Sequence, residues 1–169
     1  MEKIIFHKET KTFHLYNEEI SYIMCVLENG HMGQLYYGKR IHDKPDFSYL
    51  VEKCGRPMTS YIFEGDRSFS LEHIRQEYPV YGTTDYRHPA IEIMQENGSN
   101  ISEFKYVGYE ILKGKPSLKG LPATYTESEE EAETLKIILK DSLTGAKLTL
   151  LYTIFSKGSA IARSAHICN

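Results

Sequence analysis

The chain has 169 residues, of which 41% are hydrophobic and 25% are charged. This length predicts one domain, residues 1–169, that can bury about 70% of its unfolded surface without disulfides or a structural metal. The formal net charge of −3, with no run of Lys and Arg, argues against a nucleic-acid partner.

The cysteines and the apolar runs restrict the cellular setting. Cys25, Cys54 and Cys168 are widely spaced and form no C-x-x-C pair, so neither zinc nor a redox centre is predicted. Free thiols fit a reducing cytoplasm. No apolar run is long enough to span a membrane, and the first residues lack the apolar core of a signal peptide. We therefore expect a cytoplasmic protein without metal or cofactor.

The first part of the chain is predicted to form antiparallel hairpins. Residues 18–28 are rich in β-branched and aromatic side chains, and Asn29-Gly30 is a strong turn signal. Gly55-Arg56-Pro57 is expected to end the last of these strands, and one helical turn is predicted at 71–76 with Ser70 as its N-cap. The strands predicted here span 4–7, 12–16, 18–28, 31–39 and 47–51.

A central stretch, residues 77–90, interrupts the strands. Pro79 and Pro89 each lack a backbone donor, which excludes a regular helix or central strand. Asp85 and Arg87 are two residues apart, so on an extended segment they lie on the same face. The more common outcome of such a pattern is a structural corner fixed by an ion pair. The alternative is a surface that meets a sugar or a partner subunit.

The last part of the chain again indicates strands. Apolar residues alternate along 148–154 with a period of two. Residues 96–100 are predicted to form a hairpin loop, 127–133 a solvated charged loop, and Gly120-Leu121-Pro122 a turn. The strands predicted here span 90–95, 101–112, 134–140, 148–154 and 161–168.

Together these patterns predict ten or more strands separated by turns. The expected fold is all-β, an antiparallel two-sheet sandwich with little helix. The sequence contains no G-x-S-x-G, H-E-x-x-H, P-loop or G-x-G-x-x-G motif, and its seven histidines are scattered. Its many carboxylates cannot be paired into an acid and a nucleophile by spacing alone. No catalytic site is therefore predicted from the residues themselves.

Several motifs, in this order, closely resemble a known region. Two of them are Asp-Arg-Ser-Phe-Ser-Leu at 66–71 and Pro-Val-Tyr-Gly-Thr-Thr-Asp-Tyr-Arg at 79–87. The region they resemble is the N-terminal domain of bacterial α-galactosidases (melibiases) of glycoside hydrolase family 36. The matching segments are 13–15, 21–22, 35–39, 66–71, 76–90, 95–99, 113–116, 120–125 and 131–135.

The resemblance implies a β-supersandwich that precedes a catalytic (β/α)₈ barrel. In the family that barrel carries two aspartates, a nucleophile and an acid/base, for retaining cleavage of terminal α-1,6-galactosides such as melibiose and raffinose. Because the chain ends at Asn169, it is expected to lack the barrel and to be inactive alone. The implied partners are its own barrel and neighbouring subunits of a homotetramer.

The resemblance also implies one substrate-binding residue, Arg67, on a loop that reaches the active-site rim of a neighbouring subunit. The local alternative is a turn arginine paired with Asp66 or Glu64. A second family acid earlier in the chain has no clear match, because the segment around Val51 and Glu52 differs.

Two other functions remain open. A stand-alone carbohydrate-binding module would stack sugars on exposed aromatic rings, although the chain has no Trp among its 13 Tyr and 7 Phe. A purely structural assembly domain would bury tyrosine-rich surface against other subunits.

Overall fold

The computed structural model describes residues 3–55, 58, 60–120 and 123–169. Within these ranges the chain forms eight β-strands and two 3₁₀ turns, Ser48–Leu50 and Glu129–Glu131, and no α-helix. The strands are β1 Ile4–His7, β2 Thr12–Tyr16, β3 Ile20–Val26, β4 Met32–Lys39, β5 Phe104–Lys113, β6 Ala132–Asp141, β7 Lys147–Phe155 and β8 Ile161–Cys168.

The strands form two antiparallel four-stranded sheets, in the orders β1-β2-β3-β4 (sheet 1) and β5-β6-β7-β8 (sheet 2). Each strand therefore pairs with its neighbour in the chain. The Asn29-Gly30 turn joins β3 to β4, and Gly30 has φ 87°, a conformation that glycine adopts without steric cost. The register shifts at Ile23/Met24 in sheet 1 and at Tyr106/Gly108 in sheet 2.

The two sheets pack face to face around the main core. Phe13, Leu15 and Met24 of sheet 1 and Leu135 and Tyr152 of sheet 2 are all buried in this one cluster. The alternation predicted for β7 is confirmed, since Leu148, Leu150, Tyr152 and Ile154 all point into it. Burying large apolar side chains in this way contributes about 1.5–3 kcal/mol each before entropy is counted.

A second cluster lies on the opposite face of sheet 1. There Ile23, Cys25 and Leu35 are covered by Phe47 and Phe69, which belong to residues 41–55 and 60–76, here called the cover segment. Strand β3 is therefore buried on both faces, which explains its nearly continuous apolar run.

The predicted fold class, an all-β sandwich with little helix, is confirmed. The strand count was wrong, because two predicted strands do not form within the described ranges. Residues 47–51 contain a 3₁₀ turn instead, where the Ser48 N–H and hydroxyl both donate to Asp46. Residues 90–95 make a single bridge, Val80 with Ile91. Ile91 and Ile93 still pack against the core.

The turns predicted between the strands were confirmed only in part. Residues 71–76 form a hydrogen-bonded turn and no helix, with Ser70 Oγ accepting from Glu72 N at 3.3 Å. The 96–100 turn forms, but β5 begins at Phe104, three residues later than predicted. Of the turns predicted at 55–57 and 120–122, residues 56, 57, 121 and 122 lie outside the described ranges.

Candidate functional site

Glu77, the first residue of the central stretch, joins the two sheets. Tyr22 of sheet 1 donates its hydroxyl to Oε1 at 2.6 Å, and Tyr152 of sheet 2 donates to Oε2 at 2.7 Å. Arg163 Nη2, on β8, lies 3.0 Å from Oε2 and donates to the Glu77 carbonyl at 2.8 Å. The carboxylate is fully buried, so its charge is balanced by hydrogen bonds and one guanidinium, as a buried charge requires.

The groups that contact Glu77 have shifted pKa values. Burial first, and the adjacent carboxylate second, raise the pKa of Tyr22 and that of Tyr152. Burial alone would lower the pKa of Arg163, but Tyr152 and Glu77 outweigh it and raise that pKa. Both phenols therefore stay protonated as donors and the guanidinium stays charged. The arrangement joins the two sheets through hydrogen bonds that these groups donate to Glu77.

The Asp85/Arg87 pair fixes the rest of the central stretch as a corner. Arg87 Nε lies 2.8 Å from Asp85 Oδ1 and Arg87 Nη2 lies 2.9 Å from Oδ2. Gln76 donates to Asp85 Oδ2 at 2.6 Å, and Arg87 also donates to the Leu71 carbonyl at 2.7 Å. Burial alone would raise the pKa of Asp85, but Arg87 outweighs it and lowers that pKa. The pair makes the local contacts expected of a structural corner.

Asp85 also ends a strained turn. Gly82 and Asp85 exchange backbone hydrogen bonds of 2.8 and 2.9 Å around the two residues Thr83 and Thr84. Both threonines have positive φ, 49° and 75°, which is the pattern of a type I′ turn but unfavourable for β-branched side chains. The turn, and not an extended segment, sets the direction of Asp85.

Arg67, the predicted substrate-binding residue, is exposed just after the turn at Glu64-Gly65. Its guanidinium lies 6.0 Å from the centroid of the Tyr61 ring. Within the described residues Arg67 forms no ion pair with Asp66 or Glu64, the partners that the local alternative required. The Asp66 carboxylate instead accepts from the Ser68 N–H at 2.8 Å and the Ser68 hydroxyl at 2.6 Å.

Residues 51–54 run beside this loop. Val51 packs against the second cluster, whereas Glu52 is exposed. Cys54 N–H donates to the Ser68 carbonyl at 3.2 Å, which places residues 52–54 next to Arg67.

A groove of about 860 Å³ opens at the edge between the sheets and is lined by Lys3, Tyr16, Glu18, Arg40 and Glu133, among others. The Arg40 guanidinium lies 5.0 Å from the Tyr16 ring centroid. It therefore occupies a face on which a sugar would stack, and this groove does not favour the carbohydrate-binding-module alternative.

Sequence reasoning missed the roles of Glu77 and Arg163. Glu77 was predicted to lie in the central stretch, but its partners are 55 and 75 residues away in the sequence. No spacing pattern in the sequence reveals such distant contacts. The sequence did indicate that Tyr152 points inward, from the alternation in β7, and a buried tyrosine hydroxyl needs a hydrogen-bond partner.

Neither metal binding nor a membrane span is indicated in the part of the chain that the structure describes. No cluster of three or more His, Cys, Asp or Glu side chains there is arranged to hold a metal ion. No helix in those ranges is long and apolar enough to cross a bilayer.

Comparison with known proteins gives consistent matches over the whole chain. Curated α-galactosidase AgaA from Geobacillus stearothermophilus is 42% identical over 166 residues, which are 98% of this chain and 23% of that protein. The crystal structure of α-galactosidase from Lactobacillus brevis matches with a TM-score of 0.91 and 37% identity, over 97% of this chain and 22% of that one. An AgaA variant solved in complex with raffinose matches with a TM-score of 0.87 and 43% identity, over 94% of this chain and 22% of that one.

The chain thus spans about a quarter of the length of the curated relatives that it matches. The model of the glycosyl hydrolase family 36 N-terminal domain matches residues 30–169. These residues contain the Asp-Arg-Ser-Phe-Ser-Leu motif, the central stretch and all of sheet 2. The chain therefore belongs to the family of glycosyl hydrolase family 36 N-terminal domains.

Proposed function

We propose that this chain is the N-terminal β-supersandwich domain of a retaining α-galactosidase that hydrolyses terminal α-1,6-galactosides of the melibiose and raffinose type. The observation that carries the proposal is the match of nearly the whole chain to α-galactosidases at about 40% identity. One of the matched structures was solved with raffinose and another with stachyose. The catalytic aspartates would belong to a barrel outside residues 1–169.

In this proposal the domain supports assembly and completes the active-site rim. Arg67 would reach the sugar bound by a neighbouring subunit of a homotetramer. Its exposure, and its freedom from an ion pair with Asp66 or Glu64, leave the guanidinium available for such a contact. A guanidinium fork can donate to two neighbouring hydroxyls at once.

Three apolar side chains are largely exposed, Met94, Val107 and Tyr125, at 75%, 62% and 84%. In the proposed assembly, other domains or subunits would cover them. Cys25, Cys54 and Cys168 are all free thiols, which supports a cytoplasmic location.

The test compares two proteins, the full-length polypeptide that contains this sequence and the isolated chain of residues 1–169. The full-length protein should release galactose from melibiose and raffinose, and nitrophenol from p-nitrophenyl-α-galactoside. The isolated chain, prepared free of host galactosidase, should release nitrophenol at the background rate. A full-length protein without α-galactosidase activity, or turnover by the isolated chain, would overturn the proposal.

A further inference from the structure

On the face of sheet 1 beneath the cover segment, one carboxylate oxygen binds two histidines. Asp43 Oδ1 lies 2.9 Å from His7 Nε2 and 2.7 Å from His14 Nδ1. His14 Nε2 lies 2.9 Å from Ser21 Oγ, and Ser21 Oγ accepts from the Ile41 N–H at 3.1 Å. Strands β1, β2 and β3 thereby each hold the start of the cover segment through a polar side chain.

These partners fit a neutral His14. Its Nδ1–H donates to Asp43, and its Nε2 accepts the Ser21 hydroxyl proton. If Nε2 gained a proton, His14 and Ile41 would both donate to Ser21 Oγ, and the Ser21 hydroxyl would need another acceptor. The His14 side chain is fully buried, so this rearrangement would also place a charge in a dry site.

The groups around His14 divide between those that favour its charge and those that oppose it. Burial is the largest influence and lowers the pKa of His14, and His7 of β1 and Arg40 after β4 lower it further. Asp43 of the cover segment raises it without reversing the direction. Tyr16, on the same strand, contributes an uncharged ring 5.0 Å away.

Residues 41–55 of the cover segment have an irregular backbone apart from one 3₁₀ turn, so side-chain contacts such as these hold them on sheet 1. The end of the segment is joined to β4 by a backbone bridge between Gln76 and Gly33. Phe47 packs edge-on against His14, with the ring centroids 5.5 Å apart. Phe47 shares the second cluster with Phe69, which follows Arg67 by two residues. A change at His14 is thus connected by contacts to the far part of the cover segment.

We propose that Asp43, His7, His14 and Ser21 form an acid-sensitive latch, which holds the cover segment on sheet 1 at neutral pH and loosens it when His14 is protonated. The pKa of His14 in the folded chain is lower than its ordinary value of 6.5. Its stabilising contribution to the closed form is therefore complete above pH 6.5 and is lost as the pH falls through the folded pKa.

Asp43 acts in the same direction. Burial alone would raise its pKa, but the hydrogen bonds from His14 and His7 outweigh it and lower that pKa from 3.8. The stabilising contribution of Asp43 is therefore lost at a lower pH than that of His14. Between pH 5 and 7 Asp43 is not expected to oppose the effect of His14.

Cys25 provides a reporter of opening. It is buried on β3 and lines a cavity of about 180 Å³ together with Val51 and Phe69 of the cover segment. It is only 6% exposed, and burial, followed by the charge of Glu77, raises the pKa of its thiol to about 12. The thiol should therefore react slowly while the segment is closed and faster when it opens. The exposed Cys54 and Cys168 would be replaced by serine, and the labelling rate of Cys25 by 4,4′-dithiodipyridine would be measured from pH 5 to 8.

The matched control is His14→Gln, which keeps an amide donor and acceptor but does not titrate in this range. Dividing the rate of the chain that retains His14 by that of the variant removes the pH dependence of thiol chemistry. We expect this ratio to be constant above about pH 6.5 and to rise below it, by up to about tenfold per pH unit for one linked proton. A ratio that stays flat from pH 8 to 5 would overturn the latch.

A second measurement needs no variant. In an NMR titration of the unmodified chain, the Ile41 amide resonance should shift with the same midpoint as the His14 ring. An Ile41 amide that stays unchanged while His14 titrates would also overturn the proposal. Both experiments use this chain without a galactoside, so their outcome is independent of the proposed α-galactosidase function.

Discussion

Tyr22 and Tyr152 lie in different sheets, and both donate their hydroxyls to the same carboxylate, that of Glu77, at 2.6 and 2.7 Å. Their ring centroids are 5.9 Å apart. The contact between the two sheets is therefore polar as well as apolar at this point. It also fixes the place where the chain leaves the cover segment and begins the central stretch.

Replacing Glu77 should therefore destabilise the whole domain. We expect Glu77→Ala to lower the free energy of unfolding by about 3–5 kcal/mol, because it leaves two buried hydroxyls without their acceptor and Arg163 without its carboxylate partner. Tyr22→Phe, which removes one donor, should cost about 1.5–3 kcal/mol. Urea denaturation measures both, and Glu96→Ala in an exposed turn is the control, expected within about 0.5 kcal/mol of the unmodified chain. A loss below about 1 kcal/mol for Glu77→Ala would contradict this role.

The Asp85/Arg87 corner should make stability depend on pH in the acid range. The folded pKa of Asp85 is lowered from 3.8, so its stabilising contribution is complete well above pH 4 and is lost as pH falls through the folded value. The difference in unfolding free energy between the unmodified chain and Asp85→Asn should thus be constant from pH 6 to 8 and shrink below about pH 4. Denaturation of both proteins at a series of pH values tests this. A difference that does not change with pH would show that the charge of Asp85 contributes nothing.

Relieving the strain at Thr83 and Thr84 should stabilise the chain. Left-handed backbone costs a β-branched residue about 1–2 kcal/mol, and Asn-Gly is the favoured pair in type I′ turns. The double change Thr83→Asn/Thr84→Gly should therefore raise the unfolding free energy by about 1 kcal/mol. Thr126→Gly serves as the control, since Thr126 does not have positive φ and glycine there only adds freedom to the unfolded chain. If the double variant is no more stable than the unmodified chain, the two threonines compensate for their strain by contacts that the replacement removes.

The role proposed for Arg67 can be tested in the proposed full-length α-galactosidase. If its guanidinium binds the sugar equally in the ground and transition states, Arg67→Ala should raise KM more than it lowers kcat. A hydrogen bond from a charged group contributes about 1.5–3 kcal/mol, so kcat/KM should fall by about ten- to a hundredfold. Arg75→Ala, at another exposed arginine of the cover segment, should leave kcat/KM unchanged.

The contact proposed for Arg67 crosses between subunits, which allows a complementation experiment. Mixing Arg67→Ala subunits with subunits that lack the barrel nucleophile should restore some sites with both groups intact, and so recover activity. Intact assembly with kcat/KM within about twofold of the unmodified enzyme would reduce Arg67 to a turn residue.

The sequence predicted those parts of the fold that local pattern controls. The alternation of 148–154 identified β7 and its inward face, and Asn29-Gly30 located the turn between β3 and β4. A strand was predicted at 47–51, but hydrogen bonds from Ser48 to Asp46 favour a turn there. A strand was also predicted at 90–95, where Ile91 and Ile93 do pack on the core. A strand also needs a partner backbone, however, and no local pattern specifies one.

The site was less predictable, because its contacts join distant parts of the chain. The Asp85/Arg87 ion pair was predicted from two neighbouring residues, and the structure contains it. The binding of Asp43 to His7 and His14 joins residues 36 and 29 positions apart, and no sequence spacing indicated it. Arg67 was chosen by resemblance to a family, and the structure adds its exposure and its position near Tyr61.

The order of strands in the two sheets has a consequence for how the chain folds. Within each sheet every strand pairs with its neighbour in the chain, so the sheets form by closing local loops, of which the connection between β5 and β6 is the longest. Because the cost in chain entropy grows slowly with loop length, both sheets can form locally. The long-range step is the docking of the finished sheets, across the stretch that separates β4 from β5. If each sheet forms from contacts between neighbouring strands and the sheets dock late, the transition state contains the hairpins but not the interface. Substitutions in the core between the sheets should then mainly accelerate unfolding, whereas substitutions in the hairpins should slow folding.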